Sequence, residues 1–242
     1  MNCCCSYSLV LINIHNVKLV ILKTIILPPL PLPPPRTFNR MLSCASSFVA
    51  GSNLQTMREK FSETQKMMAE RRQAIFVIHL QQVKRSLFKL IGVEEEPKYD
   101  ISEEQSILAT NNSVLKSYWF HKAYISFMFR SYDDAKECAE KFLAYRDNAW
   151  ANMLLADSVH AFYIGLASFW LARRSREEQQ LWYDRGNQSK LALKRWAESS
   201  RWTFENKWYL LEAEESYCNN DFKTAESFYE KAVSSANAHK VR

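Results

Sequence analysis

Asp157 and His160 stand three positions apart, a spacing that puts a carboxylate and an imidazole on one face of a helix. With His121 they could share acid–base work. Such helical neighbours are common without catalysis, and the plainer reading is structural. Cysteine offers no better chemistry. Cys3, Cys4 and Cys5 are contiguous and cannot supply metal-ligand spacing, and no His/Cys set has the separation of a zinc site. Cys138 and Cys218 fall in helical patterns, where a small buried thiol is the ordinary role. The Arg173-Arg174-Ser175-Arg176 stretch could hold a phosphate or an acidic partner segment, a solvated turn being the simpler alternative. Four scattered glycines cannot build a phosphate loop, and no kinase-type catalytic loop is present. The sequence therefore predicts a chain without enzymatic activity, with no cofactor and no metal.

The elements that carry these residues are read from a repeat. Residue i matches residue i+90 in class without a gap. Tyr118-Trp119 falls on Trp208-Tyr209, Ala123 on Ala213, Tyr132 on Phe222, Ala135 on Ala225, and Glu140-Lys141 on Glu230-Lys231. Each copy places small residues twelve positions apart, with an aromatic three residues before the second. Two helices approach closely only where side chains are small, so Ala123 facing Ala135, and Ala213 facing Ala225, predict antiparallel helix hairpins. The expected fold is all-α, a tetratricopeptide-like helical-repeat solenoid. Ala213, Ala225, Tyr229 and Ala232 occupy its small-small-large-small places, whereas Phe142 replaces the last small residue in the first copy.

Composition agrees. Six of the seven prolines lie between residues 28 and 35, leaving the rest nearly free of helix breakers, and aromatics make up 13% of the chain. The formal charge of +6 is unevenly placed. Residues 1–58 contain no acid and carry +5, while the remaining 27 basic and 26 acidic residues leave +1. A balanced body lacks the concentrated basic face of a nucleic-acid binder.

In order along the chain, residues 7–27 are apolar but interrupted by Asn13, His15, Asn16, Lys18 and Lys23. Each lysine at mid-bilayer costs roughly 2.5–3.5 kcal/mol, so no transmembrane helix is expected. The proline run reads as extended polyproline II. Residues 1–40 are therefore set outside the folded body, as a disordered or targeting segment or a misassigned start, with Met41 an alternative beginning. Residues 41–92 read as the end of a helix, stopped at Gly51, and one long helix over 54–91, bent or split near Glu70-Arg71-Arg72. Residues 93–112 read as a solvated acidic connector opened by Glu94-Glu95-Glu96-Pro97. Residues 113–240 hold three helix pairs, over 113–129 and 132–145, 150–172 and 177–200, and 203–219 and 221–238. Gly186, inside one of these helices, should weaken it by about 1 kcal/mol.

Several landmarks together carry a family resemblance. They are Ser47-Phe48-Val49-Ala50-Gly51 before the long helical stretch, the run from Ser131 through Asp133-Asp134-Ala135 to Lys141, Leu193-Lys194-Arg195-Trp196-Ala197, Leu210-Leu211-Glu212-Ala213-Glu214, and Asp221-Phe222 with Ala225 and Tyr229. Over roughly residues 42–240 the chain resembles the tetratricopeptide-like helical region of giant multidomain signalling kinases. In that family a protein-kinase-like domain and a predicted ATPase precede the helical region, and a GAF sensor and hybrid histidine-kinase module often follow. The catalytic roles do not transfer. His79, His121 and His160 are not followed by the Glu-Leu-Arg pattern of a phosphoacceptor helix. The resemblance implies only relay or scaffolding, with a phosphorelay as the wider setting.

The expected function is accordingly a non-catalytic protein-interaction or scaffold segment of a histidine-kinase-type signalling protein. The alternative is a truncated fragment of a multidomain ATPase/histidine kinase whose catalytic modules are missing, and it predicts bare apolar surface on the first helix. Partners are a protein or flanking signalling domains, with no nucleic acid and no membrane, in a reducing, cytoplasmic setting. A solenoid grips partners on the concave face lined by its first helices. Lys116, His121, Lys122, Asn206 and Lys207 are the candidate contacts there.

Overall fold

Three turns use one backbone solution. Arg72, Arg130 and Asn220 all adopt left-handed φ, at 54°, 59° and 60°. In each the next residue's N–H reaches back five positions. Gln73 donates to the Met68 carbonyl at 3.1 Å, Ser131 to Ser126 at 2.9 Å, and Asp221 to Ser216 at 3.0 Å. This 6→1 bond, closed by a left-handed residue, satisfies carbonyls that a helix end leaves without partners. The last two turns are 90 residues apart, so the repeat seen in sequence is also a repeat of backbone geometry. The first turn belongs to a pair that the sequence had suggested only as a possible break.

In the computed structural model, the described residues are 8–14, 17–23, 35–49, 52–93, 101–145 and 154–239. Two short strands, β1 (Ser8–Ile14) and β2 (Val17–Lys23), pair antiparallel with Ile14 opposite Val17 and Ser8 opposite Lys23. Their Val, Ile and Leu content suits a pleated ladder, a pairing not anticipated for a segment set outside the body.

Every other element is helix: α1 (Pro35–Val49), α2 (Leu54–Glu70), α3 (Ala74–Ile91), α4 (Ile101–Thr110), α5 (Asn112–Met128), α6 (Tyr132–Ala144), α7 (Leu154–Ala172), α8 (Gln179–Ser199), α9 (Arg201–Cys218) and α10 (Phe222–Ala238). Pro35 stands at the first helical position, where a missing N–H costs nothing. The helix therefore starts before residue 41, and Arg40 reaches Glu63 on α2 at 3.0 Å. The helical stretch expected over 54–91, bent or split near Glu70-Arg71-Arg72, is two helices separated at Arg71–Gln73. The expected solvated connector contains α4, whose Glu104 is buried and bonded by Arg85 (2.7 Å to Oε2) and Gln82 (3.1 Å). The rest of the proline run, Gly51, Glu94 to Pro97 and the start assigned at Trp150 lie outside the described residues.

Side-chain caps agree with local chemistry. Asn53, Asn111 and Asp221 each accept N–H groups of the helix that follows, at 3.0–3.1 Å. Helices adjacent in sequence pack on one another as α2 with α3, α5 with α6, α7 with α8, and α9 with α10. Contacts also run between pairs, from α3 to α5, α5 to α7 and α7 to α9.

The close contacts inside the pairs differ in kind. Ala123, Ala135, Ala213 and Ala225 are all buried, as the repeat requires. In the α7–α8 pair glycine does this work. A Cβ on Gly165 would lie 2.8 Å from Leu211 Cδ1 and 2.9 Å from Ser189 Cβ, and one on Gly186 would lie 2.8 Å from the Phe169 ring. Gly186 thus sets a ring-on-backbone contact, and the propensity lost is offset by burying Phe169 completely. In the α2–α3 pair, Gln65 takes a buried place and binds Gln81, with Lys84 Nζ donating to Gln65 at 3.0 Å.

Candidate functional site

The three helical histidines converge on one seam. His79 on α3, His121 on α5 and His160 on α7 come from successive helices that touch, and each lies close enough to its neighbour to influence its charge. Ser86 Oγ is 3.0 Å from His121 Nδ1. The His160 ring sits against Phe120, with centroids 4.1 Å apart, and against Phe142 at 5.2 Å. Its Nδ1 is sealed from water without a hydrogen-bond partner. Burial lowers all three from the ordinary histidine value, His79 to about 4 and His121 and His160 to about 3, with neighbouring His79 adding to the shift at His121 and neighbouring His121 and Lys116 at His160. At neutral pH the row is uncharged. An imidazole of so low a basicity, clamped between aromatic rings, is a weak proton acceptor. Its chemical consequence here is cohesion of the seam.

The five candidate contact residues separate. Lys116 is half-buried, with Nζ 5.4 Å from the Phe142 ring, and His121 belongs to the sealed seam. Lys122 is exposed, but it lies over Tyr118 at 4.9 Å and Trp119 at 5.7 Å. Lys141 of α6 sits over the same Trp119 at 4.4 Å. On α9, Asn206 Oδ1 is sealed with no partner, and Lys207 is half-buried and donates to the Thr203 carbonyl at 2.9 Å. Burial lowers the Lys207 ammonium from its usual range. Lys122 is thus the exposed member of the set, and the α5 group and the α9 group sit on helices with α7 between them in the packing order.

A second polar centre, not anticipated, joins α7, α8, α9 and α10. Lys190, buried on α8, bonds Glu215 and lies 3.5 Å from Glu212. Tyr183 donates to Glu215 at 3.0 Å, and Trp208 Nε1 to Glu212 at 2.8 Å. Arg173 pairs with Glu214 at 2.7 Å, and the same carboxylate accepts from Tyr229 at 2.7 Å. Burial pushes Glu205 up, but Arg201, Ser235 and Tyr209 together hold it below the ordinary carboxylate range. Its sequence signal was the lysine within an apolar stripe: Trp182, Gly186, Lys190, Leu193 and Ala197 recur at three and four, and all are buried. A buried charge in such a stripe requires partners.

Among the described residues no group of three or more His, Cys, Asp or Glu could hold a metal ion, and no helix is long and apolar enough to cross a membrane. Cys44, Cys138 and Cys218 are free thiols whose pKa burial raises. Among the described side chains, the large exposed apolar ones lie from Met128 to Val233, and α1 packs on α2 and α3. Compared with family models, with curated proteins and with solved structures, the chain matches none of them.

Proposed function

We propose that the chain is a non-catalytic protein-interaction scaffold, a tetratricopeptide-like solenoid of antiparallel helix pairs. On this reading it relays signals between a protein partner and flanking signalling domains in the cytoplasm, as its resemblance to the helical region of giant signalling kinases implies. The observation that carries the proposal is the succession of contacts α3 to α5 to α7 to α9, with sequence-adjacent pairs closed by the same turn at Arg72, Arg130 and Asn220. Such an array offers surface in proportion to its length. The half-buried histidines, with His160 packed on Phe120 and Phe142, favour a structural role over proton transfer.

The test combines shape, partner capture and chemistry on the full chain. Small-angle scattering should give a maximum dimension longer than a sphere of this mass allows. Capture of a protein partner should be weakened by Lys122→Glu and unaffected by an exposed change on α10, Val233→Ser. Magnesium-dependent nucleotide turnover, or a spherical scattering profile, overturns the proposal.

A further inference from the structure

The turn between α5 and α6 meets the turn after α7 at a single indole. Trp170, in the last turn of α7, is 6% exposed and is held edge-on by Phe127 at 5.7 Å and Tyr132 at 5.9 Å. Two exposed arginines lie on it. The Arg130 guanidinium is 5.4 Å from the indole and 4.6 Å from Phe127, and the Arg174 guanidinium is 5.2 Å from the same indole. Neither has a carboxylate partner among the described residues, whereas the adjacent Arg173 is taken by Glu214 at 2.7 Å. Beside them Phe129 is 59% exposed and Met128 45%.

These facts have one chemical reading in common. A guanidinium laid on an aromatic face keeps its in-plane N–H groups outward, in the fork that suits a carboxylate. Two positive charges drawn to one ring repel each other, and an anion shared between them removes that repulsion. Arg130 also occupies left-handed φ, an unusual conformation for a long side chain, at the place where the other copy of the repeat has Asn220. Phe129 and Met128 add an apolar contact that a free inorganic ion would not use. A nucleic acid suits the site poorly. Exposed Asp133, Asp134 and Glu177, within four residues of the arginines, repel any extended run of negative charge. The edge therefore favours a short segment that sets single carboxylates on the two guanidiniums over a continuous phosphate backbone.

We infer that the edge at Arg130, Arg174 and Trp170 docks an acidic peptide segment of a partner protein, its carboxylates on the two guanidiniums and an apolar side chain on Phe129. This rests on the scaffold reading and names the partner's chemistry and its place of contact. It takes up the acidic-partner reading that the sequence offered for the Arg173–Arg176 turn beside the simpler one of a solvated turn.

The test is fluorescence anisotropy of the full chain with a fluorescein-labelled synthetic peptide of glutamates around one central phenylalanine. Binding is expected to saturate and to weaken as salt rises. Arg130→Asn, which copies the residue at the matching turn and so preserves the backbone, and Arg174→Gln should each weaken it about tenfold. Phe129→Ser, and separately a peptide with serine in place of phenylalanine, should weaken it by about fivefold. Arg195→Gln removes the same charge from an exposed α8 position and should leave affinity within about twofold. Cooperative melting at or slightly above the midpoint of the native chain shows that the variants fold. No saturable binding, equal losses from Arg195→Gln and Arg130→Asn, or displacement of the peptide by a single-stranded oligonucleotide as readily as by unlabelled peptide each overturns the inference. A chain that still captures a protein partner while ignoring the acidic peptide refutes this docking site alone, whereas nucleotide turnover refutes the scaffold itself.

Discussion

The α5–α6 and α9–α10 pairs share a turn and buried alanines, yet their flanks are unlike. Around α5–α6 the core is aromatic, with neutral imidazoles and cations laid on ring faces: Phe120, Phe127, Phe142 and Trp170 with His121 and His160, and Lys116 and Arg130 against them. Around α9 it is ionic, with Glu205, Glu212, Glu214 and Glu215 spread over Arg201, Lys190, Arg173 and three tyrosines. The inner contact of a hairpin is a local requirement, since two backbones must approach. The outer face answers to whichever helix lies beside it, and nothing in the repeat restricts its chemistry.

Acid should separate the two regions most strongly. His79, His121 and His160 have folded pKa values below the ordinary 6.5, so the folded chain disfavours their protonation. Their contribution is complete above 6.5 and lost as pH falls toward about 4 for His79 and about 3 for His121 and His160, at up to roughly 1.4 kcal/mol per histidine per pH unit. Glu205 is held below 4.5. Its contribution remains until pH falls below that value. Hydrogen exchange between pH 7 and 4 should show α3, α5 and α7 opening first, with α9–α10 following at lower pH. Simultaneous opening would erase the distinction. His160→Leu should remove about one proton from the pH dependence.

Next in size is the glycine contact of the middle pair. Phe169→Ala should destabilise by about 3–5 kcal/mol, read by chemical denaturation. Gly186→Ala should cost about 1–3 kcal/mol in the native chain, because the new methyl meets the Phe169 ring. In the Phe169→Ala background the same change should instead gain up to about 1 kcal/mol from helix propensity. Additive effects would mean that ring and glycine do not meet.

Ala123→Leu and Ala213→Leu probe what the two hairpins share. Each should cost about 1–3 kcal/mol by denaturation, and similarly, because the residues replace each other in the repeat and both are buried. A large difference would make the flanks, not the hairpin interior, the controlling feature. The smallest effect lies at the turns. Arg130→Gly should stabilise by about 0.5–1 kcal/mol in thermal melts, and Asn220→Gly by less, since Asn tolerates left-handed φ better than Arg.

The hairpins from 113 onward were legible because alanines, an aromatic and capping residues recur at fixed offsets, and these act within a few turns of helix. The α2–α3 pair was only suggested as a break, because its left-handed residue is Arg72 and Gln65 stands among its buried side chains, neither of which announces a turn or a close contact. Of the candidate contact residues, Lys122 lies exposed, while His121, Asn206 and Lys207 are drawn into packed surroundings. Helical periodicity assigns a residue to a face but does not say which neighbour covers that face.

The sequence by itself determined helix over strand for the body, the repeated turns and which alanines are buried, because propensity, capping and tight turns depend on neighbours within a few residues. Tertiary structure alone decided that three histidines scattered over 82 positions form one neutral row, that Lys190 lies opposite two glutamates, and that Arg130 and Arg174 share Trp170. Those are lateral contacts between helices far apart in the chain. They are set by how the pairs stack, a geometry that no local pattern of residue types encodes.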